Sequence, residues 1–339
     1  MKRNMYEWLK LSSGAKDRKA LPVMTYPGLG LTGKNVMDVI SNGQNQFECI
    51  EALAKKYPSI ATVTIMDLSV EAEAFGSKIR FSNNEVPTVI NTIVSGIEDA
   101  KKLVVPKVGA GRTGCYLDAA KKASEKITDR PVLGGVIGPL SLAGRLIGVS
   151  EIMLTMIDEP ETVHIVLEKC TTFLKKYAEA FKAAGANGIL IAEPVAGLMS
   201  PKFCDEFSSQ YVKKIVDELQ DKNFAVILHN CGNTVKLVDS MVSTGAAAFH
   251  FGNAVKMIDI MPQLPSDRVA FGNIEPAGIF KIGSPEKMKQ MVTDLLNDMK
   301  PYDNFVLSSG CDVPPGTYLE NIDAFFEALN EFNSNTKTN

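Results

Sequence analysis

The stretch FAVILHNCG, residues 224–232, joins an apolar run directly to a polar turn. Five consecutive apolar residues without polar alternation predict a strand that is buried on both faces, as in a parallel sheet. Seven further runs of this kind lie along the chain, and helical patterns separate them. The eight predicted strands are residues 21–26, 61–68, 132–137, 188–193, 224–229, 246–251, 268–272 and 304–308.

Eight strands that alternate with helices predict an α/β fold, a single (β/α)8 TIM-type barrel, and the length of 339 residues suits this fold. We expect one catalytic domain over residues 1–332 and a flexible polar tail over residues 333–339. The segment between the second and third strands is too long for a simple connection. We therefore predict an insertion at about 76–130, with a helix near residues 115–127, and two helices within residues 138–185.

The overall composition indicates which partners and which cellular compartment to expect. A net charge of −3 gives no reason to expect nucleic acid or an acidic membrane surface as a partner. No apolar run approaches the ~20 residues that cross a bilayer, and the two positive charges near the N-terminus precede no apolar segment. We expect a cytoplasmic protein with no membrane partner, whose cysteines are reduced thiols. The composition leaves the oligomeric state open, a homo-oligomer included.

Polar residues collect at the carboxyl ends of the predicted strands. In a barrel of this kind, that end holds the active site. The strand assignment rests on apolar runs alone, so it does not presuppose this clustering. The residues concerned are Asp67, Glu193, His229, Cys231, His250, Asn253, Asn273, Glu275, Cys311 and Asp312.

His229, Cys231 and Cys311 form a candidate metal site. The side chains of residues two apart in an extended chain point to the same side, so His229 and Cys231 can coordinate one ion. Closure of a barrel would bring Cys311, at the end of the last strand, to the same mouth. One imidazole and two thiolates suit zinc and leave a position for a substrate. The alternative is a core histidine with two inert thiols; a structural zinc is less favoured because the sequence has no CxxC pair.

Two glycine motifs and two histidines have weaker functional interpretations. Residues 28–33 and 109–114 both match G-x-G-x-x-G, but the first lacks an acidic residue about 20 positions on and the second follows a poor strand. We therefore expect no dinucleotide there, and a mobile loop over the barrel mouth at 28–33. His164 is expected on the surface. His250 is expected as a hydrogen-bonded core histidine and only a minor ligand candidate.

Four motifs together carry a family resemblance. They are MDLSVEAEAFG at 66–76, GPLSLAG at 138–144, AEP at 192–194 and the HxC…C set. With these motifs the chain resembles the uroporphyrinogen decarboxylase superfamily, in its methylcobamide:thiol (coenzyme M) methyltransferase branch. The resemblance runs over nearly the whole chain.

The resemblance implies a TIM-type barrel with a catalytic zinc on His229, Cys231 and Cys311. It also implies methyl transfer from a methylated corrinoid, carried by a partner corrinoid protein, to a small thiol such as coenzyme M. Asp67 and Glu193 are then expected to orient the acceptor or to take up its proton. Cobalamin-independent methionine synthase has a glutamate ligand after its sixth strand, where this chain has HFGN at 250–253. Glu193 is therefore also a candidate for a displaceable fourth ligand.

Two alternative functions remain at this point. The decarboxylases of the superfamily are similar in fold and bind acidic porphyrinogens with an N-terminal arginine-rich motif. Here the loop 27–34 offers only Lys34, and the decarboxylase pattern has histidine where this chain has Cys311. Both departures argue against a uroporphyrinogen-decarboxylase-like activity. The second alternative is a non-catalytic corrinoid- or metal-binding accessory protein.

Overall fold

The computed structural model describes residues 2–14 and 17–338. Seven parallel strands form one sheet in the order β1-β4-β5-β6-β7-β8-β9, and β2 and β3 form a separate antiparallel hairpin. The strands are β1 Thr62–Val63, β2 Ile79–Arg80, β3 Thr88–Val89, β4 Val132–Ile137, β5 Gly188–Ala192, β6 Ala225–Asn230, β7 Ala248–Phe251, β8 Val269–Ile274 and β9 Phe305–Ser309.

Helices follow most strands, so the fold is the predicted α/β alternation. Serine caps followed by proline begin two of them: Ser200 accepts a hydrogen bond from Phe203 N, and Ser284 accepts one from Lys287 N. The α-helices are α1 Met5–Ser12, α2 Gly28–Thr32, α3 Val36–Ile40, α4 Gly43–Lys56, α5 Val70–Ala74, α6 Ile97–Lys102, α7 Thr113–Lys126, α8 Pro139–Ile147, α9 Val149–Asp158, α10 Pro160–Ala183, α11 Pro201–Cys204, α12 Gln210–Leu219, α13 Val238–Val242, α14 Met257–Ile260, α15 Pro285–Asp298 and α16 Leu319–Thr338. Shorter 3-10 and π turns are Pro194–Leu198, Asp205–Ser209, Met261–Gln263 and Pro276–Lys281.

The first predicted strand, 21–26, is not a regular strand. Its chain lies between the two edges of the sheet: Leu21 N donates to Leu307 O (2.9 Å), and Ile60 N donates to Ala20 O (3.0 Å). The ladder stops there because Pro22 has no N–H, and Val23 N donates to the Ser309 hydroxyl instead of a carbonyl. The sheet is thus curled so that one segment is hydrogen-bonded both to the edge strand β9 and to Ile60, two residues before the edge strand β1.

The second predicted strand, 61–68, is regular only over β1. Side chains take over the ladder beyond it, since Gly135 N donates to the Thr64 hydroxyl (2.8 Å) and Ile65 N to the Gln46 side chain (3.5 Å). The predicted strand 132–137 coincides with β4, and the remaining strands agree with prediction to within two residues at each end.

The long connections contain more elements than predicted. Residues 76–130 hold the β2–β3 hairpin, α6 and α7, and α7 is the helix predicted near 115–127. Residues 138–185 hold three helices instead of two. The additional break is at Gly148, whose φ of 110° lies in the region that favours glycine, and it separates α8 from α9.

Two segments predicted to be loose are helical. Residues 28–32 form α2, in which Thr32 donates its hydroxyl proton to Gly28 O (2.9 Å), so the structure has a short helix where we predicted a loop. The predicted tail from Asn333 is instead the end of α16 as far as residue 338, while Asn339 lies outside the described residues. The Asn333 side chain accepts from Arg18 N and donates to Arg18 O, both at 2.9 Å, which ties this helix to the N-terminal segment.

Apolar side chains pack on both faces of the sheet. One cluster contains Leu21, Val63, Leu133, Ile227 and Val306, contributed by the N-terminal segment and strands around the sheet. The helix α1 adds Met5 and Leu9 to this cluster, and Met5 N donates to Lys222 O, just before β6 begins. The helix α1 therefore covers the amino ends of the strands and leaves their carboxyl ends for the site.

No single helix in the described ranges is long and apolar enough to cross a membrane. The helices α8 and α9 reach that length and composition only as a pair, and they are bent by 100° at their junction.

Candidate metal centre

The structure brings His229, Cys231 and Cys311 together at the carboxyl ends of β6 and β9. One ligand atom from each residue lies within 4.8 Å of the others. His229 is within β6, Cys231 follows that strand directly, and Cys311 comes two residues after β9. The predicted ligands therefore converge as the strand order requires, although they are 80 residues apart in the sequence.

Glycines allow the backbone to approach closely around Cys231. A Cβ atom at Gly252 would lie 2.4 Å from Cys231 Cα, a distance that real contacts do not reach. Gly232 lies against Gly197 in the same way, with a Cβ on Gly232 only 2.6 Å from Gly197 Cα. The turn after β6 is thus fixed from two sides, which holds the Cys231 thiol toward Cys311.

The orientation of His229 fits a metal ligand. Its Nε2 is buried and has no hydrogen-bond partner among the residues that the structure describes. Its Nδ1 lies 2.7 Å from His250 Nδ1 and 3.2 Å from His250 O. Burying a polar atom without a hydrogen-bond partner costs free energy, so we expect this nitrogen to bind a ligand. One imidazole nitrogen beside two thiols is a donor set that zinc accepts.

The two thiols are electrostatically unequal. Stabilisation of the Cys231 thiolate by the neighbouring Cys311 thiol is the main influence that lowers the pKa of Cys231 well below its ordinary value, and His229 acts in the same direction. A thiolate is the form that binds a metal. The pair is therefore disposed to lose its first proton at Cys231.

A cavity of about 220 Å³ adjoins the three ligands. Its walls are mostly apolar, with Met66, Leu68 and Leu190 among them, and the polar groups besides the ligands are Arg145 and Asp312. The Arg145 guanidinium is half-buried and has no hydrogen-bond or ion-pair partner within the described part of the chain. Burial lowers its pKa, while Asp67 acts against that shift. Burial raises the pKa of Asp312 to about 8.

Asp67 lies near the cavity within a buried ionic cluster. Its Oδ2 pairs with the Arg112 guanidinium and accepts from Tyr116 OH (2.9 Å). Its Oδ1 accepts from Ser69 N (2.9 Å) and from the Ser69 hydroxyl (2.6 Å). Four donors saturate this carboxylate, and Arg112 also pairs with Glu73. The geometry suits a fixed anion that holds the start of α5 and α7 in place.

Glu193 is bonded to the N-terminus of α8. Its carboxylate accepts from Leu140 N (3.0 Å) and Ser141 N (2.6 Å), two of the N–H groups that a helix leaves without internal partners. Burial raises its pKa to about 7, and these hydrogen bonds act against that rise. Within the described residues, the candidate metal group contains the imidazole and the two thiols but not Glu193.

Several residues at the site were missed or undervalued from the sequence. Arg112 belongs to the second G-x-G-x-x-G motif, where the arginine and not the glycines was the useful signal. Arg145 follows the GPLSLAG motif by one residue, and only the packing of α8 puts it in the cavity wall. Asp312 adjoins Cys311 and lines the same cavity. His250 is the hydrogen-bonded core histidine that we predicted, and its partner is the candidate ligand His229.

Comparison with known proteins identifies the family. The sequence profile described as uroporphyrinogen decarboxylase (URO-D) matches residues 28–332. The chain belongs to this family.

Similar proteins include both methyltransferases and decarboxylases. The methylcobamide:CoM methyltransferase MtbA of Methanosarcina acetivorans is 30% identical over 270 residues, 78% of either chain. The uroporphyrinogen decarboxylase of Hydrogenovibrio crunogenus is 27% identical over 307 residues, 87% of this chain and 85% of that one. A solved methyltransferase structure from Methanosarcina mazei has a TM-score of 0.86 at 25% identity and covers 98% of both chains. The predicted family and the predicted class of enzyme, a methyltransferase, are confirmed by these matches.

Proposed function

We propose that the protein is a zinc-dependent methyltransferase that moves a methyl group from a methylated corrinoid to a small thiol such as coenzyme M. The observation that carries this proposal is the unpartnered, buried His229 Nε2, grouped with two thiols beside a cavity. The methylcobamide:CoM methyltransferases among the relatives supply the reaction class. The proposal includes a cytoplasmic location, where thiols stay reduced.

We also infer that the curled sheet is a (β/α)8 barrel. The segment 19–23 would complete the eight strands, as the first of them in chain order, because it is hydrogen-bonded to both β9 and the residues before β1. Residues 76–130 would then be the insertion between its second and third strands. Such closure explains why residues after β6 and β9 share one site.

His229, Cys231 and Cys311 would hold the zinc ion. Zinc bound there would act as a Lewis acid: it would lower the pKa of an incoming thiol, whose proton would pass to solvent, and the sulfur would stay nucleophilic at neutral pH. The sulfur then takes the methyl group: a sulfur–carbon bond forms, the cobalt–carbon bond breaks, and its electron pair remains on cobalt. The apolar walls from Met66, Leu68 and Leu190 exclude water from the reacting sulfur.

Arg145 would orient the acceptor. A half-buried guanidinium without an anionic partner favours a ligand that carries a carboxylate or a sulfonate, which it can bind with two hydrogen bonds. The cavity has room for about seven waters, at ~30 Å³ each, and therefore for a compact thiol acid. Asp67 and Glu193 would act as positioning residues, since their carboxylates already accept the hydrogen bonds described above.

The methyl donor would be presented by a partner corrinoid protein docked over the carboxyl ends of the strands. A corrinoid ring is far larger than a cavity of about 220 Å³, so the donor cannot be enclosed. A porphyrinogen substrate would also be too large for this cavity. It carries eight acidic side chains, and the cavity has one arginine to bind them.

The test is a methyl-transfer assay with methylcobalamin and a series of thiols, with zinc content measured on the same samples. We expect about one zinc per chain in the wild type, and loss of both zinc and thiol-dependent demethylation in Cys231→Ser and Cys311→Ser. Cys204→Ser is the matched control, because this buried cysteine lies on α11, outside the metal group. A metal-free wild type with full activity would contradict the proposal. Zinc binding without any demethylation would instead indicate the accessory protein.

A further inference from the structure

We propose that His250 and Ser308 are positioning residues that fix the proton of His229 on Nδ1, so that its Nε2 faces the metal unprotonated. The proposal rests on the proposed metal centre but does not depend on methyl transfer. It follows from the direction of three consecutive hydrogen bonds, which link β6, β7, β9 and the N-terminal segment.

The direction is set at the far end of the series. The Ser308 hydroxyl lies within hydrogen-bond distance of Leu21 O, and a carbonyl oxygen can only accept. Ser308 must therefore donate its one proton to Leu21 O. The same hydroxyl is 2.8 Å from His250 Nε2, and it has no second proton to give. His250 consequently donates from Nε2 to Ser308.

The direction of these hydrogen bonds also determines which nitrogen of each imidazole carries the proton. Both histidines are buried, at 3% exposure for His229 and 1% for His250. His250 contacts an imidazole and a hydroxyl and no anionic side chain among the described residues, so its neutral form is favoured. A neutral ring with its proton on Nε2 has a bare Nδ1, so His250 Nδ1 accepts across the 2.7 Å contact with His229 Nδ1. His229 donates from Nδ1, with His250 O as a second acceptor at 3.2 Å.

The remaining nitrogen, His229 Nε2, is thereby left with a lone pair. It is the buried nitrogen for which the described residues offer no partner, and it belongs to the group with Cys231 and Cys311. Hydrogen bonds from the second nitrogen of a histidine ligand fix its tautomer and its ring orientation. Here the acceptor is a neutral imidazole and not a carboxylate. The centre thus gains orientation without an added negative charge.

Nitrogen NMR of 15N-histidine-labelled protein tests the tautomers directly. The chain has three histidines, so His164→Gln and His250→Gln suffice to assign their signals. We expect His229 to be protonated on Nδ1 and His250 on Nε2, in both the metal-free and the zinc-loaded protein. A His250 protonated on Nδ1, or charged at neutral pH, would overturn the proposal. The NMR measurement does not depend on enzymatic activity.

Zinc affinity, measured by competition with a chelator, tests the consequence. We expect Ser308→Ala and His250→Phe to weaken zinc binding by about 10- to 100-fold, the usual effect of losing an outer hydrogen bond to a metal ligand. Ser309→Ala is the matched control, because its buried hydroxyl accepts from Val23 N and takes no part in the series. Thermal unfolding of each variant separates weaker binding from lost structure.

The outcomes separate this inference from the proposed function. Unchanged zinc affinity in Ser308→Ala and His250→Phe, with zinc bound by the wild type, would overturn the positioning role alone. A wild type that binds no zinc, yet has the expected tautomers, would overturn the zinc-dependent function and support the hydrogen-bond direction.

Discussion

At the scale of single residues, Arg145 is the group that we expect to select the acceptor. Arg145→Gln should raise KM for 2-mercaptoethanesulfonate by about 10- to 100-fold, since a hydrogen bond to a charged group contributes roughly 1.5–3 kcal/mol. The KM for the uncharged thiol 2-mercaptoethanol should change little, because this thiol has no anionic group for Arg145 to bind. Steady-state kinetics with both thiols measure the difference, and Arg145→Lys should restore part of it.

The thiol series also distinguishes failure of this assignment from failure of the proposed function. Equal KM changes for the charged and the uncharged thiol would remove Arg145 as the anion anchor and leave methyl transfer intact. 3-Mercaptopropionate and homocysteine extend the series to a carboxylate and to an amino acid. Absence of transfer to every thiol would refute the function itself.

Glu71 should make the protein less stable as the pH rises. Burial raises the pKa of this carboxyl to about 8 from its ordinary 4.5, so the folded protein keeps a proton that the unfolded chain releases. The free energy of unfolding therefore falls between pH 4.5 and about 8. Glu71→Gln stays neutral and keeps an oxygen that can accept from Ile137 N (3.0 Å).

We expect Glu71→Gln to match the wild type near pH ~4 and to exceed its stability near pH ~9 by on the order of a few kcal/mol. Urea unfolding at the two pH values measures this. A wild type and variant with parallel pH profiles would show that Glu71 titrates normally.

At the scale of elements, we expect the close approach of Gly252, after β7, to the turn after β6 to set the geometry of the proposed metal ligands. Gly252→Ala would put a methyl group 2.4 Å from Cys231 Cα, so the turn must shift. We expect zinc content to fall severalfold while the circular dichroism spectrum is retained. Gly96→Ala is the control, since its Cβ meets nothing within 4 Å and its φ of 177° is extended. Full zinc content in Gly252→Ala would mean that the turn adapts.

The elements also show what could be predicted from sequence. The strand β4 and the pair His229 and Cys231 were predictable, because a buried parallel strand and ligands two residues apart are local patterns. The approach of Cys311 was predictable because it follows another predicted strand of the same sheet. The irregular segment 21–26 was not, since its hydrogen bonds depend on Pro22 and on the distant Ser309 hydroxyl. The position of Arg145 could not be predicted either, because it depends on how α8 packs against the turn Pro194–Leu198 that follows β5. The helical end of α16 depends on Arg18, 315 residues away.

At the scale of the whole molecule, Arg18 joins the two ends of the chain. Its buried guanidinium donates to Tyr302 O (2.8 Å) and Met299 O (2.6 Å), and its backbone pairs with the Asn333 side chain. Arg18→Met would remove the guanidinium donor to Tyr302 O, at a cost of ~1–3 kcal/mol for a buried group, while Met299 O would keep its bond from Tyr302 N (3.0 Å). We expect a clearly lower denaturation midpoint, measured by urea unfolding.

Arg268→Met is the comparison for that experiment. Arg268 is partly exposed, with an ion pair to Asp267 at 3.8 Å, and pairs of this kind contribute little. Equal stability of the two variants would mean that Arg18 does not hold the ends together.

The bond between Ser308 and Leu21 spans 287 residues and has a consequence for biosynthesis. A ribosome that adds 5–20 residues per second needs roughly 15–60 s to make the intervening chain. Throughout that time, the N-terminal segment lacks the strand β9, and His229, which is made 79 residues before Ser308, lacks it for the last part of the interval. The Ser308 bonds to Leu21 and to His250 can form only once residue 308 has been made. The proposed metal centre, which needs Cys311 as well as His229 and Cys231, can therefore be completed only near the end of synthesis.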